Sequence, residues 1–119
     1  MRRQFMSDCL FCKIINGDIP ATKVFEDELM IAIEDINPQA PTHLLIIPKK
    51  HIATALELSS EDRQVIGEVF LRANKLAEER EIDQSGFRIV NNCQEGAGQS
   101  VFHIHFHLLG GRSMTWPPG

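Results

Sequence analysis

Three of the chain's five histidines stand at alternate positions, His103, His105 and His107, within Gln99-Ser100-Val101-Phe102-His103-Ile104-His105-Phe106-His107-Leu108-Leu109. A β-strand sends successive side chains to opposite faces. Read as a strand over residues 99–109, this segment lines one face with imidazoles and fills the other with Phe102, Ile104, Phe106 and Leu108. Residues two apart on a strand lie about 6.5–7 Å apart at Cα, so neighbouring imidazoles can converge on one small ligand. Three chemistries compete. The rings can pack or face solvent, although crowding them raises mutual charge repulsion for no packing gain. They can form a three-histidine metal centre, neutral imidazole being a common zinc ligand. Or one of them can be a nucleophile supported by its neighbours, as in phosphoryl transfer. The run Gly96-Ala97-Gly98-Gln99-Ser100 just upstream favours the third. Its flexible backbone N–H groups and its hydroxyl are the donors that phosphate oxygens require.

A second group is Cys9-Leu10-Phe11-Cys12. Cysteines at that spacing can form half of a tetrahedral zinc site. His51 and His103 would supply the other half and tie an N-terminal helix to the sheet. Such a site is structural, because four protein ligands leave no open position. The competing reading is two buried helix cysteines one turn apart. His43 lies in an apolar stretch, where a histidine is usually a satisfied core residue. Asp35 ends a strand before a loop; it can accept hydrogen bonds from a ribose diol or simply cap the turn. Cys93 has no partner in sequence and reads as structural.

These groups must be positioned by short elements. Residues 1–7 read as a loose tail and 8–119 as one domain. Asp8 is the expected N-cap of a short helix over 9–16, stopped by Gly17, with Leu10, Phe11, Ile14 and Ile15 as its apolar face. Ile19-Pro20 begins a turn. Residues 22–26 and 29–35 form a hairpin about Asp27-Glu28, with Leu29, Ile31 and Ile33 sharing a face. Two prolines make 37–41 a loop. Residues 42–47 are almost wholly apolar and predict a central strand buried on both sides, ended by Pro48. Ser59 or Ser60 caps a long helix to about Arg80, and Ser59 with Asp62 resembles a capping box. Val65, Ile66, Val69, Phe70, Ala73, Leu76 and Ala77 recur at helical spacing, so that helix packs on a sheet. A strand over 87–92, a turn over 94–99 and the histidine strand follow, then a tail over 114–119. The order β-β-β-α-β-β predicts an antiparallel sheet with helical cover, hence α+β.

Composition narrows the function classes. A net charge of −4 argues against a general nucleic-acid or anionic-membrane binder, which needs a basic face. No apolar run approaches the ~20 residues of a membrane span, and no apolar h-region follows the N-terminal arginines. Three cysteines is an odd count, so a reduced, cytoplasmic protein is expected rather than a disulfide framework. Met6 is a candidate second start.

The histidine run has the form His-φ-His-φ-His-φ-φ, with φ apolar. Around it stand Phe11-Cys12-Lys13-Ile14-Ile15, Phe25-Glu26-Asp27, Asp35-Ile36-Asn37-Pro38-Gln39-Ala40-Pro41-Thr42-His43, Ile47-Pro48-Lys49-Lys50-His51, Gly98-Gln99-Ser100-Val101 and Leu109-Gly110-Gly111-Arg112. Collinear from about Asp8 to Gly119, this pattern resembles the histidine triad (HIT) nucleotide-binding superfamily, and its closing Trp116-Pro117-Pro118-Gly119 looks like the Hint branch. The resemblance implies a five-stranded antiparallel sheet with one long and one short helix, two subunits pairing into a ten-stranded sheet. It implies hydrolysis of P–N bonds in purine nucleoside phosphoramidates, such as adenosine 5′-phosphoramidate or an AMP–lysine conjugate. His105 matches the nucleophile, His103 and His107 the flanking positions, and His43 a histidine behind them. Ser100 matches the hydroxyl near phosphate and leaving group, Asn92 a phosphate or ribose contact, and Asp35 the ribose carboxylate. Leu10, Phe11, Ile19, Ile33 and Ile36 match the base pocket, and backbone amides around Gly98, Gln99 and Ser100 would stabilise added charge. Many Hint proteins lack the Cys-x-x-Cys pair. Related bacterial members and the galactose-1-phosphate uridylyltransferase relatives carry it as zinc ligands, which implies a structural zinc on Cys9, Cys12, His51 and His103. The expected partners are a purine nucleoside monophosphate or phosphoramidate and a second copy of the chain, with no nucleic acid and no membrane. Two other functions stay open: a nucleotide-binding scaffold with incidental hydrolysis, and a three-histidine zinc hydrolase.

Overall fold

Leu44-Leu45-Ile46-Ile47 offers water no polar face, and it becomes the centre of the sheet. In the computed structural model, which describes residues 8–119, β3 (Thr42–Pro48) is buried along its whole length. It sits third in the order β1-β2-β3-β5-β4, with β1 at Lys23–Glu26, β2 at Met30–Glu34, β4 at Phe87–Val90 and β5 at Phe106–Gly110. Every neighbouring pair is antiparallel. The expected tail over 1–7 lies outside the described residues. The α+β class and the five antiparallel strands follow the sequence.

Strand alternation divides the interior in two. Met30, Ala32, Leu44, Ile46, Phe106 and Leu108 point to one side, where Val69, Ala73 and Leu76 of α2 (Arg63–Glu79) cover them. Ile31, Ile33, Leu45 and Ile47 point to the other, where Cys9, Phe11, Cys12 and Ile14 of the α1 region (helix Leu10–Ile15) cover them. A sheet buried on both faces needs both helices, and the short one borders the chemistry.

The structure corrects several expectations. The α1 helix is capped by Cys9, whose Sγ accepts from the Cys12 backbone N–H at 3.3 Å, and not by Asp8. The Ser59–Asp62 capping box forms, but it caps a one-turn 3-10 segment, Ser60–Asp62, that leads into α2. Phe70 of the apolar stripe is 46% exposed, its ring meeting Phe106 edge-on. Leu29 packs on the α2 side, away from Ile31 and Ile33. It precedes β2, in a turn where the Asp27 carboxylate accepts from the N–H groups of Leu29 and Met30, so the pleat does not govern it. The strand expected over 87–92 ends at Val90, because the Asn91 side chain turns to bond the His105 carbonyl at 2.9 Å.

The largest correction is to the histidine strand. Only Phe106–Gly110 is strand; residues 99–105 are irregular. Their polar groups find partners outside a ladder. The buried Gln99 side chain accepts from Gln94 N–H at 2.8 Å and donates to Ala53 and Val101 carbonyls at 2.7 and 3.1 Å. Ile104 N–H donates to Ile52 O at 2.6 Å. The facial alternation nevertheless survives: Ile104 joins the α2-side core, and Phe11 of α1 touches both His103 and His105.

Candidate active site

On the α1 side the sheet opens into a cavity of about 550 Å³. Its apolar wall is Leu10, Phe11 and Ile14 from α1, Ile19 and Pro20 from the following turn, and Ile33 and Leu45 from β2 and β3. His105, His107 and Ser100 line it, with Asp35 and Ile36 at the end of β2. All five residues expected for a base pocket are therefore gathered. Leu10 is 40% exposed and Ile36 wholly so. Apolar side chains left open at a cavity mouth suit a flat apolar group. Among the described residues no Lys or Arg lines the cavity, while Glu34 and Asp35 do.

The His105 ring is buried, and its Nδ1 lies 2.8 Å from the His103 carbonyl. A carbonyl can only accept, so Nδ1 carries the proton and Nε2 keeps its lone pair. Burial holds the His105 pKa below the ordinary imidazole value, against the pull of that carbonyl and of Asp35. His107 stands next to it, ring centres 5.3 Å apart. Burial, with repulsion from His105 and His43, takes His107 down to about 4. Behind it, His43 Nε2 lies 2.9 Å from His107 Nδ1 and 3.3 Å from an Asp35 carboxylate oxygen. His43 is buried, as its strand predicts, and burial lowers its pKa too. A neutral nucleophile-ready imidazole thus sits beside a second neutral imidazole with a proton-sharing partner.

Other expected residues take different places. Asp35 serves its own turn with one oxygen, accepting from Asn37 N–H at 2.8 Å, and faces His43 with the other. Gly98 closes a turn at φ +93, a left-handed conformation that suits glycine. The Gln99 amide is spent on backbone groups. Neither of these two nor Asn92 is among the cavity-lining residues. Asn91, which the sequence did not single out, is the asparagine bound next to His105. Adjacent asparagines alternate in direction along an extended chain, so pattern alone could have flagged the pair but not chosen between them.

Directly beneath, Cys9, Cys12, His51 and His103 bring four ligand atoms within 4.8 Å of one another. The Nδ1 of His103 lies 3.3 Å from Cys9 Sγ, 3.5 Å from Cys12 Sγ and 3.2 Å from His51 Nδ1, and His51 Nδ1 lies 3.4 Å from Cys12 Sγ. Zn–S bonds of about 2.3 Å and Zn–N bonds of about 2.0–2.1 Å set tetrahedral edges of about 3.3–3.8 Å, and these residues fit such an ion. His103 Nε2 meets the Pro48 carbonyl at 2.7 Å and must donate to it, which frees Nδ1 as a lone pair for a metal. With no cation, burial and the neighbouring Cys9 push the Cys12 thiol up to about 11, and burial takes His103 down to about 4. Both nitrogens of His103 are thus committed away from the cavity. A metal centre built from all three triad histidines lacks one of its ligands.

The comparisons agree with this geometry. A family model described as "HIT domain" matches residues 16–114. The 14 kDa zinc-binding protein of Zea mays is 48% identical, the match covering 100% of this chain and 94% of that protein. The purine nucleoside phosphoramidase of Escherichia coli K12 is 45% identical, with 90% of each chain covered. A crystal structure of a HIT family hydrolase from Legionella pneumophila Philadelphia 1 superposes with a TM-score of 0.92 at 58% identity, covering 93% of this chain and 99% of that one. With the family model spanning most of its length, the chain belongs to the HIT domain family.

Proposed function

We propose that the protein is a hydrolase of purine nucleoside phosphoramidates that works through a nucleotidyl-histidine intermediate. The observation that carries this reading is the state of His105: buried at the cavity, its Nδ1–H held by the His103 carbonyl, its Nε2 lone pair free, its neutral form favoured. His105 Nε2 attacks the α-phosphorus. The P–N bond breaks, and the amine leaves after gaining a proton from water, with Ser100 or His107 donating a hydrogen bond to the departing nitrogen. Water then attacks the phosphorus, the P–N bond to His105 breaks, and a nucleoside monophosphate is released. Splitting one difficult displacement in two is the general gain of covalent catalysis. Backbone N–H groups near Ser100 would stabilise the added charge.

Two further observations support the substrate class. The apolar wall suits a base, with Asp35 beside it for a ribose diol. Two carboxylates, and no Lys or Arg among the described lining residues, suit one phosphoryl group of low charge better than a polyphosphate. The relative named purine nucleoside phosphoramidase supports the same reading. A zinc ion on Cys9, Cys12, His51 and His103 would hold the N-terminal segment to the sheet and takes no part in the displacement; the relative named zinc-binding supports its presence. A cytoplasmic setting keeps those thiols reduced. The protein works as a dimer joined along β4, an open sheet edge.

The test is turnover of a fluorogenic AMP-amine. His105→Ala is expected to lower it by at least about 10³-fold, and retained activity would sink the assignment. Wild-type turnover below about 10⁻² s⁻¹ on every phosphoramidate, far under the usual enzyme range, with tight AMP binding, would instead favour a nucleotide-binding scaffold.

A further inference from the structure

The loop before β3 carries a contact that the reaction above does not use. The backbone N–H of Gln39 donates to His43 Nδ1 at 2.9 Å. A peptide N–H has no acceptor capacity, so Nδ1 must accept, and a neutral His43 must carry its proton on Nε2. That nitrogen faces His107 Nδ1 at 2.9 Å. His107 Nδ1 is then the acceptor, and a neutral His107 carries its own proton on Nε2. One backbone amide thereby decides the proton positions of two imidazoles in series.

The Gln39 peptide is held from both sides. Its carbonyl accepts from Arg112 Nε at 2.9 Å, across 73 residues of sequence. Its side-chain amide donates to the Asn37 carbonyl at 3.0 Å, and Asn37 N–H is held by Asp35. Gly111, at φ +92, lets the chain after β5 press on Pro41 of the same loop; a Cβ there would stand 2.9 Å from the Pro41 side chain. An exposed arginine at the far end of the chain is thus tied to the histidine pair through a single peptide group.

We propose that Gln39, through its backbone N–H, and Arg112, through the Gln39 carbonyl, are positioning residues that fix the Nε2–H tautomers of His43 and His107, so that His107 presents an N–H donor to the phosphoryl group or to the departing amine. The role of that donor rests on the phosphoramidase reading; the tautomers do not.

Long-range ¹H–¹⁵N correlation spectra of the imidazole rings report which nitrogen is protonated. In the wild-type protein His43 and His107 are expected as Nε2–H tautomers and His105 as Nδ1–H. Arg112→Met keeps the apolar stem and loses the donor. It is expected to mix the tautomers of His43 and His107 and to lower kcat about tenfold, the worth of one hydrogen bond of ordinary net strength, with KM little changed. Gln39→Pro removes the N–H and should do the same or more, whereas Gln39→Ala keeps the N–H and should keep the wild-type tautomers. If Gln39→Pro does not fold, the wild-type spectrum and Arg112→Met still decide. An Nδ1–H tautomer for His43 in the wild type would overturn the proposal, as would Arg112→Met with unchanged tautomers and kcat. Expected tautomers without turnover on any phosphoramidate would sink the proposed reaction and leave the tautomer assignment supported.

Discussion

A histidine that stays neutral when buried makes stability depend on pH in a definite direction. His107 sits near 4 in the fold, and the pKa values of His105 and His43 are lowered as well, burial being the first cause in each case. Unfolded imidazoles titrate near about 6.5. Between about 6.5 and about 4 the unfolded chain therefore binds more protons than the folded one, and unfolding becomes easier as pH falls through that window. For one imidazole the slope approaches about 1.4 kcal/mol per pH unit. Urea unfolding from pH 7.5 to 4 should show that decline, and His107→Asn, which cannot titrate, should flatten it by up to one proton. A slope that the substitution leaves unchanged would contradict a neutral, buried His107. Activity should share the direction, with its acid limb below the ordinary imidazole range, because His105, the proposed nucleophile, stays unprotonated further into acid.

At this scale the sequence was informative wherever type and spacing coincide. His105, His107, Asp35 and the apolar wall stand together at the cavity, and Cys9, Cys12, His51 and His103 meet as their spacing suggested. What spacing could not carry was the division of labour. That His103 serves the thiols with one nitrogen, Pro48 with the other and His105 with its carbonyl depends on distant chain segments. The roles of Asn91 and of the Gln39 peptide were hidden for the same reason.

The α1 element links the two sites. Its Cys9 and Cys12 belong to the cluster with His51 and His103 while Leu10, Phe11 and Ile14 wall the cavity. Six residues cannot sustain a helix alone, so tertiary anchoring must hold α1: its packing on the sheet through Phe11, Cys12 and Ile14, to which the proposed zinc would add an anchor. Removing the metal with a chelator, or substituting Cys9→Ser, is expected to lower Tm by about 10 °C or more, the equivalent of a few kcal/mol in a domain of this size. AMP affinity should fall in parallel, and amides of α1 should exchange faster, because the cavity loses a fixed wall. Chelation that leaves Tm and α1 exchange untouched would remove the anchor from the account. Element types were legible from periodicity, since α2 shows a buried stripe at helical spacing and β3 is apolar and buried along its whole length. Their ends were not. The 99–105 run reads as strand because its alternation is genuine, yet Gln99, Ile52 and Asn91 satisfy its backbone from outside any ladder.

At the level of the whole molecule, among the described residues the sheet ends on two unpaired edges, β1 and β4, and they differ. The β1 edge is charged: Lys23 pairs with Glu26, and Lys49 reaches the same carboxylate at 2.8 Å. Charged edges resist further pairing. Beside β4, Phe87 shares a cleft with Leu71 of α2, and Leu71 is 58% exposed. Phe70 precedes it at 46%. An unpaired strand next to apolar residues on the covering helix is a surface that self-association would bury, and a two-fold axis there would extend five strands to ten. Sedimentation should therefore give twice the 13.4 kDa chain mass at micromolar concentration. Leu71→Glu should shift the protein toward monomer, because a carboxylate buried in that contact would lie unpaired. A wild-type protein that sediments as a monomer throughout that range would show that β4 is left open, and one whose dimer ignores Leu71→Glu would move the contact to another face. The cavity lies on the α1 side and the α2 cleft on the other, so AMP binding by a folded Leu71→Glu monomer measures directly how far the site depends on the second copy.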